Sequence, residues 1–210
     1  MIAVAIVLVL LGSLMTPVVE KAVSPATPGA GPAPAVACTV KARTVDSINA
    51  VVSTKETPQA GRSTSDEPKP YEKPKGSPVS DRTRKGVTAT LAQFVACSNS
   101  GAILPLLALF SDNFLLDHAE EMGLPFSPDD PALTPSPSPA DARVNIASID
   151  DMVKIGDGRV SALVTLSVPD ELSDTSLLQC FFTYNPDTKR WLIDQITLVI
   201  GPSMYGGDSE

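Results

Sequence analysis

The sequence predicts an α+β domain in which three N-terminal helices pack on a four-stranded antiparallel sheet. Three observations predict it. The apolar period changes from 3.6 to 2 near residue 143, so helices come first and strands follow. The twenty prolines of the 210-residue chain are partitioned: ten precede residue 80, six lie between Pro125 and Pro139, and four fall elsewhere. Eight of the ten aromatic residues lie between Phe94 and Trp191. Residues 81–200, about 120 in number, are therefore the stretch able to build a core, a comfortable size for one domain.

Ahead of that domain, residues 2–19 carry no charged side chain and residues 2–11 are all apolar. Eighteen helical residues rise about 27 Å, slightly short of a hydrocarbon core. Residues 1–37 read as a signal peptide or an uncleaved membrane anchor with a Pro/Ala linker behind it. Ser24-Pro25-Ala26 and Ala35-Val36-Ala37 are the small-residue cleavage candidates. Either reading exports the remainder to the extracellular space or the cell envelope. Ala35-Val36-Ala37-Cys38 imitates a lipoprotein signal, but about two dozen residues separate the apolar run from Cys38. A disulfide suits Cys38 better than a lipid.

Residues 38–53 form a docking segment with a short helix: Thr44 caps it, and Val45, Ile48 and Val52 recur at helical spacing. Residues 54–80 are rich in Lys, Glu, Ser and Pro and read as flexible linker. Ser80-Asp81 then opens the first domain helix, with Val87, Leu91, Phe94 and Val95 on one stripe. Ser98-Asn99-Ser100-Gly101 ends it. A second helix follows over 102–110, with Pro105 tolerated in its first turn. Ser111 caps a third helix, and Gly123 terminates it.

The strands follow. Residues 143–155 read as the first, with a phase slip near Ser148 that predicts a bulge. Gly156-Asp157-Gly158 reads as a hairpin turn in which Asp-Gly supplies positive φ angles. Val160, Ala162, Val164, Leu166 and Val168 alternate with polar neighbours and form the helix-facing row of the second strand. Residues 177–184 and 190–200 are the third and fourth strands, joined by Asn185-Pro186-Asp187, and 201–210 is a flexible tail.

This order of elements resembles the nuclear transport factor 2-like superfamily, which includes the SnoaL-like polyketide cyclases. The resemblance rests on Phe94-Val95-Ala96-Cys97-Ser98-Asn99-Ser100-Gly101 leading into Leu107-Ala108-Leu109-Phe110-Ser111-Asp112-Asn113-Phe114. It rests also on the hairpin Gly158-Arg159-Val160 into Ala162-Leu163-Val164, and on Lys189-Arg190-Trp191-Leu192-Ile193-Asp194, similar to a closing strand with a Trp-x-Ile step. The Cys38-Thr39-Val40 opening is similar to exported bacterial members of unassigned activity. The resemblance implies a curved sheet and helices enclosing a conical pocket, in which family enzymes place a carboxylate or histidine as general base. The quoted motifs are packing signatures, so they speak for fold more than for function.

Charge and motif content exclude several functions. Residues 1–80 hold eight Lys/Arg against six Asp/Glu, whereas residues 81–210 hold eight against eighteen. So acidic a domain repels phosphate backbones, which argues against nucleic acid as a partner. One histidine and three cysteines argue against a multi-ligand zinc site. Asp150, Asp151 and Asp157 lack the ligand spacing of a calcium loop. No nucleophile elbow, phosphate loop or dinucleotide fingerprint occurs, and nothing points to a cofactor.

The catalytic candidates are weak. If the fourth strand runs unbroken, Asp194 shares a face with Leu192, Ile196, Leu198 and Ile200, the desolvated setting a general base requires. If it bulges at Asp194-Gln195, then Trp191, Ile193, Ile196 and Leu198 group together and Asp194 falls outside. His118 reads as a surface residue that adjacent Asp117, about 100° away on the helix, is poorly placed to orient. Among the cysteines, Cys180 reads as a buried core thiol. Cys97 lies at the edge of its helix stripe, where the segment opened by Cys38 can reach it. A Cys38–Cys97 bridge would close a loop of about 60 residues, worth about 3–4 kcal/mol.

An unbroken fourth strand would also align Leu163, Leu177, Phe181, Trp191 and Ile193 on the outer sheet face. That apolar patch predicts a weak isologous homodimer. The expected function is an exported, non-catalytic module binding a small apolar ligand or a partner protein, touching the membrane only through its N-terminal segment. The alternatives are a SnoaL-like isomerase, cyclase or dehydratase using Asp194, and a structural envelope protein with a filled cone.

Overall fold

A computed structural model describes residues 37–54, 69–168 and 175–200. The expected signal or anchor segment up to residue 36, the first part of the linker and the tail from residue 201 lie outside the described residues. Two two-residue strands, β1 (Lys69–Pro70) and β2 (Ser77–Pro78), precede four long ones: β3 (Asn145–Lys154), β4 (Val160–Ser167), β5 (Thr175–Asn185) and β6 (Arg190–Ile200). The sheet order is β1-β6-β5-β4-β3-β2. The long strands form an antiparallel meander, and β1 adds in parallel to β6. The helices are α1 (Val45–Ser53), α2 (Asp81–Asn99), α3 (Ile103–Leu107) and α4 (Asp112–Asp117). The class is α+β, with a larger sheet and shorter α3 and α4 than the sequence predicts.

Three helix starts carry the expected caps. The hydroxyl of Thr44 accepts from Ser47 N, that of Ser80 from Thr83 N, and that of Ser111 from Phe114 N. Each such cap contributes about 1 kcal/mol by satisfying an otherwise unpaired amide. The helix-facing rows also follow the sequence. Val160, Ala162, Val164 and Leu166 of β4 and Leu178, Cys180 and Phe182 of β5 are buried against Leu91, Phe94, Leu109, Phe110 and Leu115. Phe110 stacks on Phe114 with centroids 4.3 Å apart and meets Phe94 edge-on at 6.1 Å.

The β3–β4 turn differs from the expected primed type. Gly158 alone takes positive φ, at +90°, while Asp157 does not. Gly158 N donates to Ile155 O and Ile155 N to Arg159 O, a three-residue loop closed by a glycine bulge. The phase slip near Ser148 is present, because the β3–β4 register shifts between Ile146 and Ser148. A second shift, between Asp150 and Val153, holds Asp151 at φ +49°.

The fourth long strand bulges at Asp194: Phe181 pairs with Gln195 and Phe182 with Ile193, leaving Asp194 unpaired. One extra residue reverses the alternation of everything before it. Trp191 and Ile193 therefore join the helix-facing side with Ile196 and Leu198, and Ile193 is 1% exposed. This corrects the expected outer patch. Leu163, Leu177 and Phe181 remain on the outer face, half-buried, but Trp191 and Ile193 do not extend them.

The expected linker over 54–80 is also corrected from Lys69 onward. Lys69 and Pro70 pair with Val199 and Ile200 at one sheet edge, and Ser77 and Pro78 pair with Lys154 and Val153 at the other. Only residues 71–76 join them. Seven extended steps reach about 24 Å, the width of five flat interstrand gaps, so this strap is nearly taut unless the sheet curves. Proline-rich pairs of residues have no periodicity to betray them.

The docking segment is held as its spacing suggests. Ile48 of α1 is fully buried. Gln93 accepts from Thr39 N at 2.8 Å and donates to Ala37 O at 3.3 Å. Asn49 brackets the Phe126 backbone in the same manner, donating to its O and accepting from its N. Arg43 Nη1 reaches Asp112 Oδ1 at 2.7 Å. Cys38 and Cys97 are disulfide-bonded, with Cα atoms 4.7 Å apart.

Candidate functional site

The densest polar constellation among the described residues centres on the β6 bulge. Leu109–Ser111 runs beside β6: Ile193 N donates to Leu109 O at 2.8 Å, and Ser111 N donates to Ile193 O at 2.9 Å. This brings the start of α4 against the bulge. Asp194 Oδ1 accepts from Ser111 Oγ at 2.7 Å, and Oδ2 accepts from Arg159 Nη1 at 3.1 Å. Ser111 Oγ meanwhile accepts from Phe114 N as the helix cap. Its single hydroxyl joins a helix start to a strand.

Arg159, in turn, stands between two carboxylates. Its Nε donates to Asp157 Oδ2 at 2.8 Å, and its guanidinium lies 5.1 Å over the Phe181 ring. The Arg159 backbone N–H holds the Asp157 carboxyl below its usual range against the cost of desolvation, and the guanidinium adds to the lowering. The Asp194 side chain is 11% exposed, against 27% for Arg159 and 50% for Asp157. Of the two carboxylates that Arg159 bridges, the more buried is the one bonded also to Ser111.

Asp194 is thus removed from the apolar row that would have made it a base. A general base needs an oxygen pointed at a substrate proton, and here each carboxylate oxygen already holds a protein donor. The arrangement clasps three elements: the β3–β4 turn, β6 and the cap of α4. Replacing Asp194 with Asn is expected to cost about 1–2 kcal/mol of stability, because a partly buried charge-assisted bond is lost. Denaturant titration reads this directly. An unchanged midpoint would contradict the clasp.

His118 follows α4, 15% exposed, its ring packed 4.5 Å from Phe114. Its Nδ1 pairs with Glu121 Oε2 at 2.7 Å. The orienting carboxylate is three residues ahead rather than adjacent, across the turn that follows α4. That i, i+3 relation was the available signal. The imidazole is consequently half-buried and oriented rather than a surface residue.

Two acids of β3 are engaged separately. Asp150 accepts from Ser148 Oγ at 2.6 Å. Asp151 accepts from Lys73 Nζ and, at 3.0 Å, from Tyr71 Oη of the strap. Lys73 holds the Asp151 carboxyl below its usual range. Burial, and then the bond to Asp151, push the Tyr71 phenol up to about 12. Among the described residues no group of three or more potential metal ligands converges. Cys180 is a buried free thiol, pushed up to about 12 by desolvation.

The chain was compared with models of protein families, with curated proteins and with solved structures, and none of the three returned a match.

Proposed function

We propose that this chain is an exported, non-catalytic module on the nuclear transport factor 2-like plan, acting by binding a small apolar ligand or a partner protein. The observation that carries the non-catalytic reading is the engagement of Asp194 by Ser111 and Arg159. The carboxylate best placed to serve a pocket serves the fold instead. The disulfide supports an oxidising compartment, since such bonds persist outside the cytosol. A SnoaL-like isomerase, cyclase or dehydratase would need another base, and His118 with Glu121 is the pair it would have to use.

Between the two kinds of partner, the core favours a protein. Leu109, Phe110, Leu115, Phe182 and Ile193 are each at most 1% exposed and belong to one apolar cluster. The helix side of the sheet is already met by side chains of this chain, as the filled-cone alternative also requires. Solvent extraction of protein purified from an oxidising host, followed by mass spectrometry, separates these cases. A co-purified apolar molecule near one per chain would reverse the preference for a protein partner. Export is tested apart from it: residues 1–37 are expected to carry a phosphatase that is active only when oxidised out of the cytoplasm. An inactive fusion would overturn the exported reading.

A further inference from the structure

Basic side chains are scarce in the acidic part of the chain, yet five of the eight in residues 81–210 fall in two short runs. Arg82, Arg84 and Lys85 open α2, and Lys189 and Arg190 lie at the β5–β6 turn. The fold joins the runs. A Cβ on Gly86 would lie 2.6 Å from Trp191 Cδ1, so the first turns of α2 rest directly on Trp191. Thr90 Oγ1 fastens the contact by donating to Trp191 O at 2.8 Å. At about 100° per residue, Arg82 lies within about 40° of Gly86 on α2, Lys85 stands on the flank about 100° away, and Arg84 lies on the opposite side. Arg82, Lys85 and Lys189 are exposed and Arg190 is half-buried. None of the five joins an ion pair among the described residues. The acids within the two runs are Asp81 and Asp187 alone.

Two further features mark this corner. Tyr184, at 44%, is the one large apolar side chain left exposed among the described residues, and its ring sits 5.4 Å from that of Trp191. The three cations in the opening turns of α2 also oppose its macrodipole, which favours acids there. Asp81 is the single acid of that first turn, and three cations set against it leave a local rule broken, which points to a demand from outside the fold.

We propose that this corner docks the domain on the anionic headgroups of a lipid bilayer. Lys and Arg near an anionic leaflet are attracted within a Debye length of about 8 Å. Exposed Tyr184 carries an apolar ring with a polar tip, the kind of side chain that settles at the headgroup level. The acids elsewhere in the domain are repelled by the same surface, so the domain lands one way round. Lipid is the occupant favoured over an acidic polymer because the uncharged run at residues 2–19 already directs the chain to a bilayer, as signal or as anchor. The inference adds a partner to the exported-module reading, and it fails separately from it: vesicles report docking whether or not a phosphatase fusion is exported.

Trp191 is the chain's single tryptophan and reports the contact itself. The full chain is mixed with phosphatidylcholine vesicles with and without phosphatidylglycerol, some carrying brominated acyl chains. Trp191 emission is expected to shift to the blue and be quenched on the anionic vesicles only, and to recover in high salt. Each cation near the surface multiplies partitioning roughly fivefold, so Arg82→Gln with Lys189→Gln should weaken the response about 25-fold. Both side chains are exposed, and an unchanged thermal midpoint verifies the fold. Tyr184→Ser, a second variant, should lower partitioning while leaving its salt dependence intact. An equal response on neutral and anionic vesicles overturns the proposal, as does a double variant that partitions like the parent. A response to soluble dextran sulfate with none to vesicles assigns the corner to an acidic polymer and equally overturns it.

Discussion

Cys38→Ser is expected to lower stability by about 3–4 kcal/mol, a large part of what a domain of this size has to lose. The bridge spans 59 residues of chain, from the docking segment to the last turns of α2. Without it the unfolded chain regains the freedom of that loop, and the contacts of Ile48, Gln93 and Arg43 must hold the segment alone. Cys38 is the better position to change, because it is half-buried whereas Cys97 is fully buried, and a serine there would strand a hydroxyl. Reductant should move the urea midpoint of the parent to that of Cys38→Ser and leave the variant unmoved. The third cysteine does not confuse the result. A thiol pushed up to about 12 has almost no thiolate at neutral pH, so Cys180 is a poor partner for exchange. Native protein in which all three thiols can be alkylated would sink the bridge.

Gly101→Ala is the second large expected effect. Gly101 ends α2 at φ +64°, and the residue carries two separable demands. The positive φ costs an alanine about 1 kcal/mol. In addition, its Cβ would lie 2.1 Å from Ser136 O, 2.5 Å from Ser136 C and 2.6 Å from Ser136 N. These are backbone atoms, so no rotamer change relieves the overlap. The neighbouring loop is pinned as well: Ser138 N donates to Asn99 O, and the Asn99 side chain brackets Val144. The loop must move or α2 must shorten, with an expected loss of about 3 kcal/mol or more. Gly123 supplies the control, since it has φ +67° and nothing within 4 Å of its Cβ position. Gly123→Ala should show the φ penalty alone. Equal losses at the two sites would refute the contact with Ser136.

Much of the fold was legible because burial imposes a period. The β4 and β5 rows, the caps at Thr44, Ser80 and Ser111 and the bulge near Ser148 all sit where alternation or a local hydrogen bond demands them. Cys97 announced its role by lying at the edge of an apolar stripe. The strap was not legible, because a two-residue strand has no period and its prolines imitate linker. The site around Asp194 was half legible. The sequence shows that a bulge would expel Asp194 from the core, but its partners are 83 residues away at Ser111 and 35 away at Arg159. Only the folded backbone brings those three together. The two basic runs are plain in the sequence, yet about a hundred residues separate them, and they become one surface only through the contact of Gly86 with Trp191.

The strap also bears on the order in which the chain can complete itself. Lys69 pairs with Val199, about 130 residues later in synthesis. Until β6 exists, β1 has no neighbour, and until the β3–β4 hairpin forms, neither has β2. Strand edges left open in that interval are templates for another chain. Once both ends of residues 69–78 are seated, part of each edge of the sheet is covered by one continuous piece of polypeptide. That piece ties the first-made strands to the last, and its β1 end can be seated only after β6 has been made. A nick in the strap would then untie both edges, leaving the domain prone to pairing edge to edge with another copy.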